Sequence, residues 1–461
     1  FKQKTAYEIR NCDWSSDVCS SDLEAQAGME SMSMRTQGSL GMVALVLAAC
    51  ASGPSGSVAT NGHEPPRVSG PASAAGGSEP FAIESVYRQR AQALVERALE
   101  DNRAIAHLAD LVAAAPKRLS GSQGAADAVA FGLQRMKDLG LQNVRGEEVM
   151  VPQWVRGKES ASVVSPKPMP LRVTALGGSI GTPEQGLQGE LVMVRSFEQL
   201  QAMGDAARGK IVFFNRPMPR ALTRTFQAYG QAVPQRGNGA IEAGKVGAIA
   251  ALVRSVTTAI DEHPHTGAMN YQDGVPQVPS AAIATEDAEA LAALLVDGPV
   301  RIQLQLGCEI RPDVHSANVI GEIVGSEHPE EVVLIGGHLD GWDLGQGAHD
   351  DGTGCAHVLE AMRLIRACGI APKRTIRAVL FMNEENGLRG AQAYAKAHGH
   401  EKHAAAIESD GGGDTPQGFS CSLKDAAAEA LRPIFLPLSE FNAGAFLPGG
   451  GGGAEIGRAH V

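Results

Sequence analysis

The chain has 461 residues, a length that at about 150 residues per domain points to two or three domains. With 43% hydrophobic residues it can fill a sizeable core, and 55 glycines and 25 prolines are too few for a collagen-like or low-complexity polymer, so a globular α/β protein is expected. Lys and Arg number 40 against 51 Asp and Glu, a formal charge of -11 with no basic cluster, which argues against nucleic acid as a partner.

Residues 1–23 show neither helical nor strand periodicity and precede every methionine; like residues 455–461 they resemble translated sequencing-adapter text, and both ends are set aside as non-native. Residues 29–50 read as a secretion signal, with Met34-Arg35 ahead of an apolar run from Leu40 to Ala49. Its end, Leu47-Ala48-Ala49-Cys50, resembles a bacterial lipobox, so an acylated Cys50 is the expected membrane tether, with Ala51 favouring the outer membrane. The alternative is an ordinary signal with an incidental cysteine. The run is too short for a spanning helix of about 20 residues. Residues 51–80, rich in Gly, Ser, Pro and Ala, read as a flexible linker. Cys308, Cys355, Cys368 and Cys421 contain no C-x-x-C pair, so a cysteine zinc site is not expected and a disulfide stays open.

The folded part divides into residues 81–155, an inserted segment 156–300 and residues 301–454. Helical spacing over 84–113 and 124–139, with Ala126, Val129, Ala130, Leu133 and Met136 on one stripe, predicts two packing helices, and Val144 to Trp154 alternates as a strand. The inserted segment mixes short β-rich runs, such as Gly189–Val194 and Lys210–Phe214, with loops and short helices. Beyond Ser316 come a strand at Glu331–Ile335, a helix at Gly352–Cys368, a strand at Thr375–Met382, a helix at Leu388–Ala397 and a strand at Ala404–Glu408. This alternation predicts a mostly parallel mixed sheet flanked by helices, whose ligands gather beyond the C-terminal ends of its strands.

The charged residues lie at those ends. His338 and Asp340 follow the first strand, Asp350 and Asp351 precede the helix, Glu384 and Glu385 follow the second strand, and Asp410 follows the third. Carboxylates this dense repel one another unless cations sit between them. Imidazole and carboxylates without thiolate suit zinc, with cobalt or manganese as substitutes. Two ions about 3.5–4 Å apart can share one bridging carboxylate. Of two adjacent glutamates, one can bind metal while the other takes a proton from water. Asp351 is accounted for as a helix cap, His349 and His357 as incidental, and Trp342 and Asp343 either line a specificity pocket or are ordinary loop residues.

The series GGHLDGWDLGQGAHDDGTG, FMNEENGLRGAQAYA and ESD resembles the dizinc exopeptidases of metallopeptidase family 28, among them aminopeptidases and the plasma glutamate carboxypeptidase branch. The match spans about residues 84–454, and 156–300 stands where that branch carries an inserted, β-rich protease-associated domain. The resemblance implies a zinc-peptidase phosphorylase/hydrolase-like fold in which His338 and Asp410 bind one zinc, Asp350 bridges two, and Glu385 binds the second. It further implies that Asp340 orients the His338 ring, and that Glu384 is the general base for a metal-bound hydroxide. Members also supply a late histidine after a glycine run; here Gly449–Gly453 is followed only by His460 in the suspect tail. The chain is therefore expected to be truncated, its second zinc incomplete, and its own activity weak or absent.

The expectation is an exported zinc exopeptidase hydrolysing short peptides or dipeptides, from either the amino or the carboxyl end. Its rival is a binding protein on a peptidase scaffold without a complete dizinc site. A third reading, the related di-metal deacylases and dipeptidases, fits less well because their spacing from the first His to the bridging Asp is usually longer. Expected partners are short peptide substrates, a membrane through Cys50 and, as an open alternative, a second copy of the chain in a homodimer.

Overall fold

The computed structural model describes residues 81–222, 225–413, 418–422, 429 and 431–448. The expectations placed on residues 1–80, on Gly449–Gly453 and on the tail 455–461 lie outside the described residues.

Three helices open the fold: α1 (Phe81–Glu100), α2 (Ala104–Ala114) and α3 (Gln123–Asp138). The helical spacing over 84–113 is thus interrupted at residues 101–103. There Asn102 Oδ1 accepts from Ala104 N at 2.9 Å, and Glu360 takes Arg103 N at 3.0 Å. Side chains that compete for backbone donors in this way end a helix that apolar periodicity alone would continue. Ser122 starts α3, its hydroxyl accepting from Ala125 N at 3.1 Å as an N-cap does.

Strand β1 (Gln142–Val155) leads into a second sheet built from β2 (Glu159–Ser165), β3 (Met169–Leu171), β4 (Val173–Ala175), β5 (Leu187–Val194), β6 (Ile211–Phe214), β7 (Ala250–Arg254), β8 (Ser280–Ile283) and β9 (Arg301–Leu306). Helices α4 (Phe197–Met203), α5 (Thr225–Ala232), α6 (Pro234–Lys245) and α7 (Thr285–Asp297) connect them. The order is β3-β2-β9-β5-β6-β7-β8-β4, with β5 to β8 parallel. Strand β9, past residue 300, pairs with β2 and β5 and belongs to this sheet.

The chain then returns to the first sheet with β10 (Glu309–Ile323), β11 (His328–His338), α8 (Thr353–Ala367), β12 (Arg374–Phe381), α9 (Arg389–His398) and β13 (Lys402–Glu408). Its order is β1-β10-β12-β11-β13. Pairing is parallel among β12, β11 and β13 and antiparallel from β12 through β10 to β1. The sheet is therefore mixed, and its parallel half is the one whose strand ends carry the acidic residues. Among the described residues, β14 (Gly418–Cys421), α10 (Arg432–Phe435) and β15 (Ala445–Pro448) follow, with the two strands paired in parallel.

Each sheet has its own core. On one face of the first, Leu94, Leu111, Ala128 and Met136 of α1 to α3 pack with Val358, Met362 and Ile365 of α8 against Val333, Ile335, Ile376 and Leu380. Strand β12 is buried along its whole length, as a central strand between two helical layers must be. No disulfide joins Cys308, Cys355, Cys368 and Cys421.

The loop that follows His338 is fastened to the second sheet. Arg156, buried where β1 gives way to β2, reaches both oxygens of Asp343 at 2.7 and 2.6 Å and also donates to Thr174 Oγ1 and Ala175 O. Its guanidinium lies 5.0 Å from the Trp154 ring centroid. The neighbouring Trp342 packs on the second sheet's core so closely that a Cβ on Gly177 would overlap its indole. Trp342 and Asp343, read from sequence as pocket lining or ordinary loop, join the loop to the second sheet.

Because Arg156 is buried, removing its bidentate partner leaves only Glu159, 3.7 Å from Nη1, to balance the charge. Asp343→Ala is expected to lower the free energy of denaturant unfolding by about 2–4 kcal/mol, less than for a fully buried pair because Asp343 is partly exposed. A loss below about 0.5 kcal/mol would show that the pair contributes no more than a surface bridge.

Candidate metal centre

Strand β11 delivers His338 to the C-terminal edge of the first sheet, between the ends of β12 and β13. The backbone there is held from three directions. His338 N donates to Asp351 Oδ2 at 3.0 Å, the Cys355 thiol donates to its carbonyl at 3.1 Å, and Leu339 N donates to Phe381 O at 2.6 Å. Asp351 is buried, and its other oxygen accepts from Gly354 N at 2.8 Å, so one carboxylate caps α8 and ties it to β11. Burial pushes the Asp351 carboxyl well above the usual carboxylate range, with Asp410 and Asp350 adding to the push and His338 opposing it.

The His338 ring is 1% exposed, and each nitrogen has a distinct neighbour. Nδ1 lies 3.1 Å from the Asp340 carbonyl oxygen, an atom that can only accept, so Nδ1 carries a hydrogen. Nε2 faces two carboxylates, Asp350 Oδ1 at 2.9 Å and Asp410 Oδ1 at 3.5 Å. Such a ring must either be doubly protonated or share a cation with the two acids. Burial disfavours a charged imidazole, but Asp350 and Asp410 outweigh it and raise the His338 pKa well above normal. Asp350 is pushed up by burial in turn, yet His338 holds it below the ordinary carboxylate value. One ligand atom each from His338, Asp350 and Asp410 lies within 4.8 Å of the others, a donor set that fits a divalent ion. A second group, His328, Glu330 and Glu331, sits where β11 begins, and there Arg374 and Lys402 engage Glu331.

Glu384 and Glu385 follow β12 on a turn wrapped around Asp340. The Asp340 carboxylate accepts from Asn383 N at 2.8 Å, Glu384 N at 2.9 Å and Glu385 N at 3.3 Å. From sequence Asp340 was expected to orient the His338 ring through its carboxylate. Its carboxylate oxygen stands 3.9 Å from Nδ1, and the atom at hydrogen-bonding distance is its carbonyl oxygen. The reason is competition: three backbone N–H groups converge on the carboxylate and leave the ring to the main chain. Asp340 is 0% exposed and so is a positioning residue, not one that touches substrate.

Burial raises the Glu384 carboxyl to about 6; Asp340, Asp410 and Asp350 push it the same way and His338 the other. Glu385 is raised well above the ordinary value, first by burial and then by Asp350. Glu385 is not in the close group of His338, Asp350 and Asp410, although its charge and that of Asp350 repel. His357 Nδ1 pairs with Ser409 Oγ at 2.9 Å, and burial lowers its pKa to about 4, so it is a neutral link between α8 and the Asp410 loop. His349 Nδ1 accepts from Gly413 N at 3.2 Å and secures the same loop from the other side.

Sequence reasoning missed Arg118, Ser120, Asn383 and Asn386. Asn383 Nδ2 donates to Ser120 Oγ at 2.8 Å and to Asn386 Oδ1 at 2.6 Å beneath the glutamate turn. The two asparagines fall inside the quoted motif and could have been singled out there. Arg118 and Ser120 sit in a Pro- and Gly-bounded stretch between helices, where nothing in the spacing tells of contacts with distant loops.

The model of the family "Peptidase family M28" matches residues 318–443. Carboxypeptidase Q of Mus musculus is 40% identical over 77% of this chain and 75% of its own length, and that of Homo sapiens 41% identical over 74% and 71%. The crystal structure of a peptidase M28 precursor from Shewanella amazonensis SB2B superposes with a TM-score of 0.78 at 37% identity, covering 82% of this chain and 86% of that one. With the motif residues gathered at one sheet edge and relatives this similar over most of their length, the chain belongs to peptidase family M28.

Proposed function

We propose that the chain is an exported, zinc-dependent exopeptidase that hydrolyses short peptides or dipeptides. The observation that carries this reading is His338 Nε2, which faces the Asp350 and Asp410 carboxylates while the hydrogen on Nδ1 is given to the Asp340 carbonyl. Once the proton on Nε2 is displaced, a lone pair and two anionic oxygens face one another, a donor set that suits zinc. His338, Asp350 and Asp410 would hold one ion, and Asp350 would be shared with a second held by Glu385. Zinc bound there would polarise the scissile carbonyl and acidify the attacking water.

The chain's own groups handle the proton. A Glu384 carboxyl near pKa 6 is mostly ionised at neutral pH, so its oxygen accepts the proton of the attacking water and then passes it to the departing amine. Asp340, by gripping the backbone of residues 383–385, keeps that carboxyl in place through the transfer. The name of the Carboxypeptidase Q relatives supports cleavage at a free carboxyl end. Export and a lipid tether rest on residues 29–50 and on the lipobox-like Leu47-Ala48-Ala49-Cys50.

Three outcomes are expected. Amine release from a dipeptide, weak in a chain without the late histidine, should be abolished by chelation and restored by added Zn2+; a protein with well under one zinc per chain and no hydrolysis would instead be a binding protein on this scaffold. Glu384→Gln should retain zinc within twofold yet lower kcat by about 10²–10⁴-fold. Activity within tenfold of the parent would remove Glu384 from the role of base. Expressed from Met29 in a bacterial host, the protein should incorporate labelled palmitate and Cys50→Ser should not; labelling that survives the substitution would overturn the anchor.

A further inference from the structure

Between α2 and α3 the chain makes a short turn, residues 117–122, that touches two distant loops at once. Arg118 is 0% exposed and heads the fully buried side chains by volume. Among the described residues its guanidinium bonds only backbone carbonyls. Nε donates to Leu339 O at 2.6 Å, Nη1 to Gln346 O at 2.7 Å and Nη2 to Gly347 O at 2.6 Å. The Arg118 carbonyl in turn accepts from Gly341 N at 3.3 Å. These carbonyls mark the beginning and end of the loop that separates His338 from Asp350. Gly347 has φ +60°, and a Cβ there would stand 2.6 Å from Nη1, so the loop closes directly on the guanidinium.

Two residues on, Ser120 reaches the other loop. Its hydroxyl donates to Asn386 Oδ1 at 2.7 Å, accepts from Asn383 Nδ2 at 2.8 Å and lies 3.4 Å from Asp340 Oδ2. Ser122 roots the turn in α3 through its cap on Ala125 N. One turn therefore grips the segment leading to Asp350 with Arg118 and the segment carrying Glu384 and Glu385 with Ser120. Desolvating a guanidinium is costly, and bonds to carbonyls do not neutralise it. What they provide is geometry: a planar fork with fixed donor directions holds three carbonyls in one arrangement, which a lysine ammonium cannot do.

We propose that the Arg118–Ser120 turn is a positioning device that sets the spacing between the Asp350 loop and the Glu384–Glu385 loop, and so fixes divalent-cation affinity from outside the ligand set. This rests on the metal-centre reading above. The turn touches neither substrate nor metal; it acts through the loops that do.

The test uses the full chain as wild type, Arg118→Lys, Arg118→Met and Ser120→Ala, each freed of metal. Zn2+ affinity is measured against a chromophoric chelator, the Co2+ visible bands report ligand geometry, and far-ultraviolet circular dichroism reports the fold. Arg118→Lys is expected to keep the wild-type dichroism while weakening Zn2+ binding by about 10-fold or more and altering the Co2+ bands. Ser120→Ala should alter the Co2+ bands with a smaller loss of affinity. If Arg118→Met does not fold, the other two variants decide. Zn2+ affinities within twofold of wild type and unchanged Co2+ bands in both would overturn the positioning role alone. A wild-type chain that takes up neither Zn2+ nor Co2+ would overturn the metal centre and this proposal with it.

Discussion

Carboxylate oxygens meet an imidazole at the C-terminal edge of three parallel strands, and their mutual repulsion is the constraint on which the rest of the site depends. His338 Nε2 is within 2.9 Å of Asp350 and 3.5 Å of Asp410, with Glu384 and Glu385 close enough for their charges to be felt. Without positive charge this patch would protonate or spread apart. Burial first, and the neighbouring acids after it, raise the carboxyls of Asp351, Glu384 and Glu385. A divalent cation held by them would relieve the repulsion.

What surrounds His338, Asp350 and Asp410 resists spreading. Asp351 joins β11 to α8, the Asp340 carboxylate collects the backbone of the glutamate turn, and His349 and His357 hold the Asp410 loop against the start of α8. The second sheet contributes from a distance: Arg156 clamps Asp343, and Trp342 packs on that sheet's core, so the loop after His338 is fixed at both its inner and outer sides. The candidate site of this chain thus stands on loops of little regular structure that are held by hydrogen bonds.

Much of this was readable in the sequence. Strands β11, β12 and β13 and helices α8 and α9 follow from apolar runs and periodicity, and acids at strand ends of a parallel sheet point to a ligand site without further help. Strand β10 was not singled out in the sequence, because its first residues are exposed and lack alternation. The break between α1 and α2 depends on two side chains, Asn102 and the distant Glu360, capturing backbone donors. The distinction between the Asp340 carboxylate and carbonyl, and the reach of Arg118 into a loop more than two hundred residues away, are tertiary facts. Spacing along the chain has no means of expressing them.

Diffraction from crystals of the chain grown with zinc, recorded on both sides of the zinc absorption edge, tests the central claim most directly. The account predicts an anomalous peak roughly 2.0–2.2 Å from His338 Nε2 and from carboxylate oxygens of Asp350 and Asp410. No peak at that point, with His338 Nε2 still hydrogen-bonded to Asp350 in excess zinc, would contradict it.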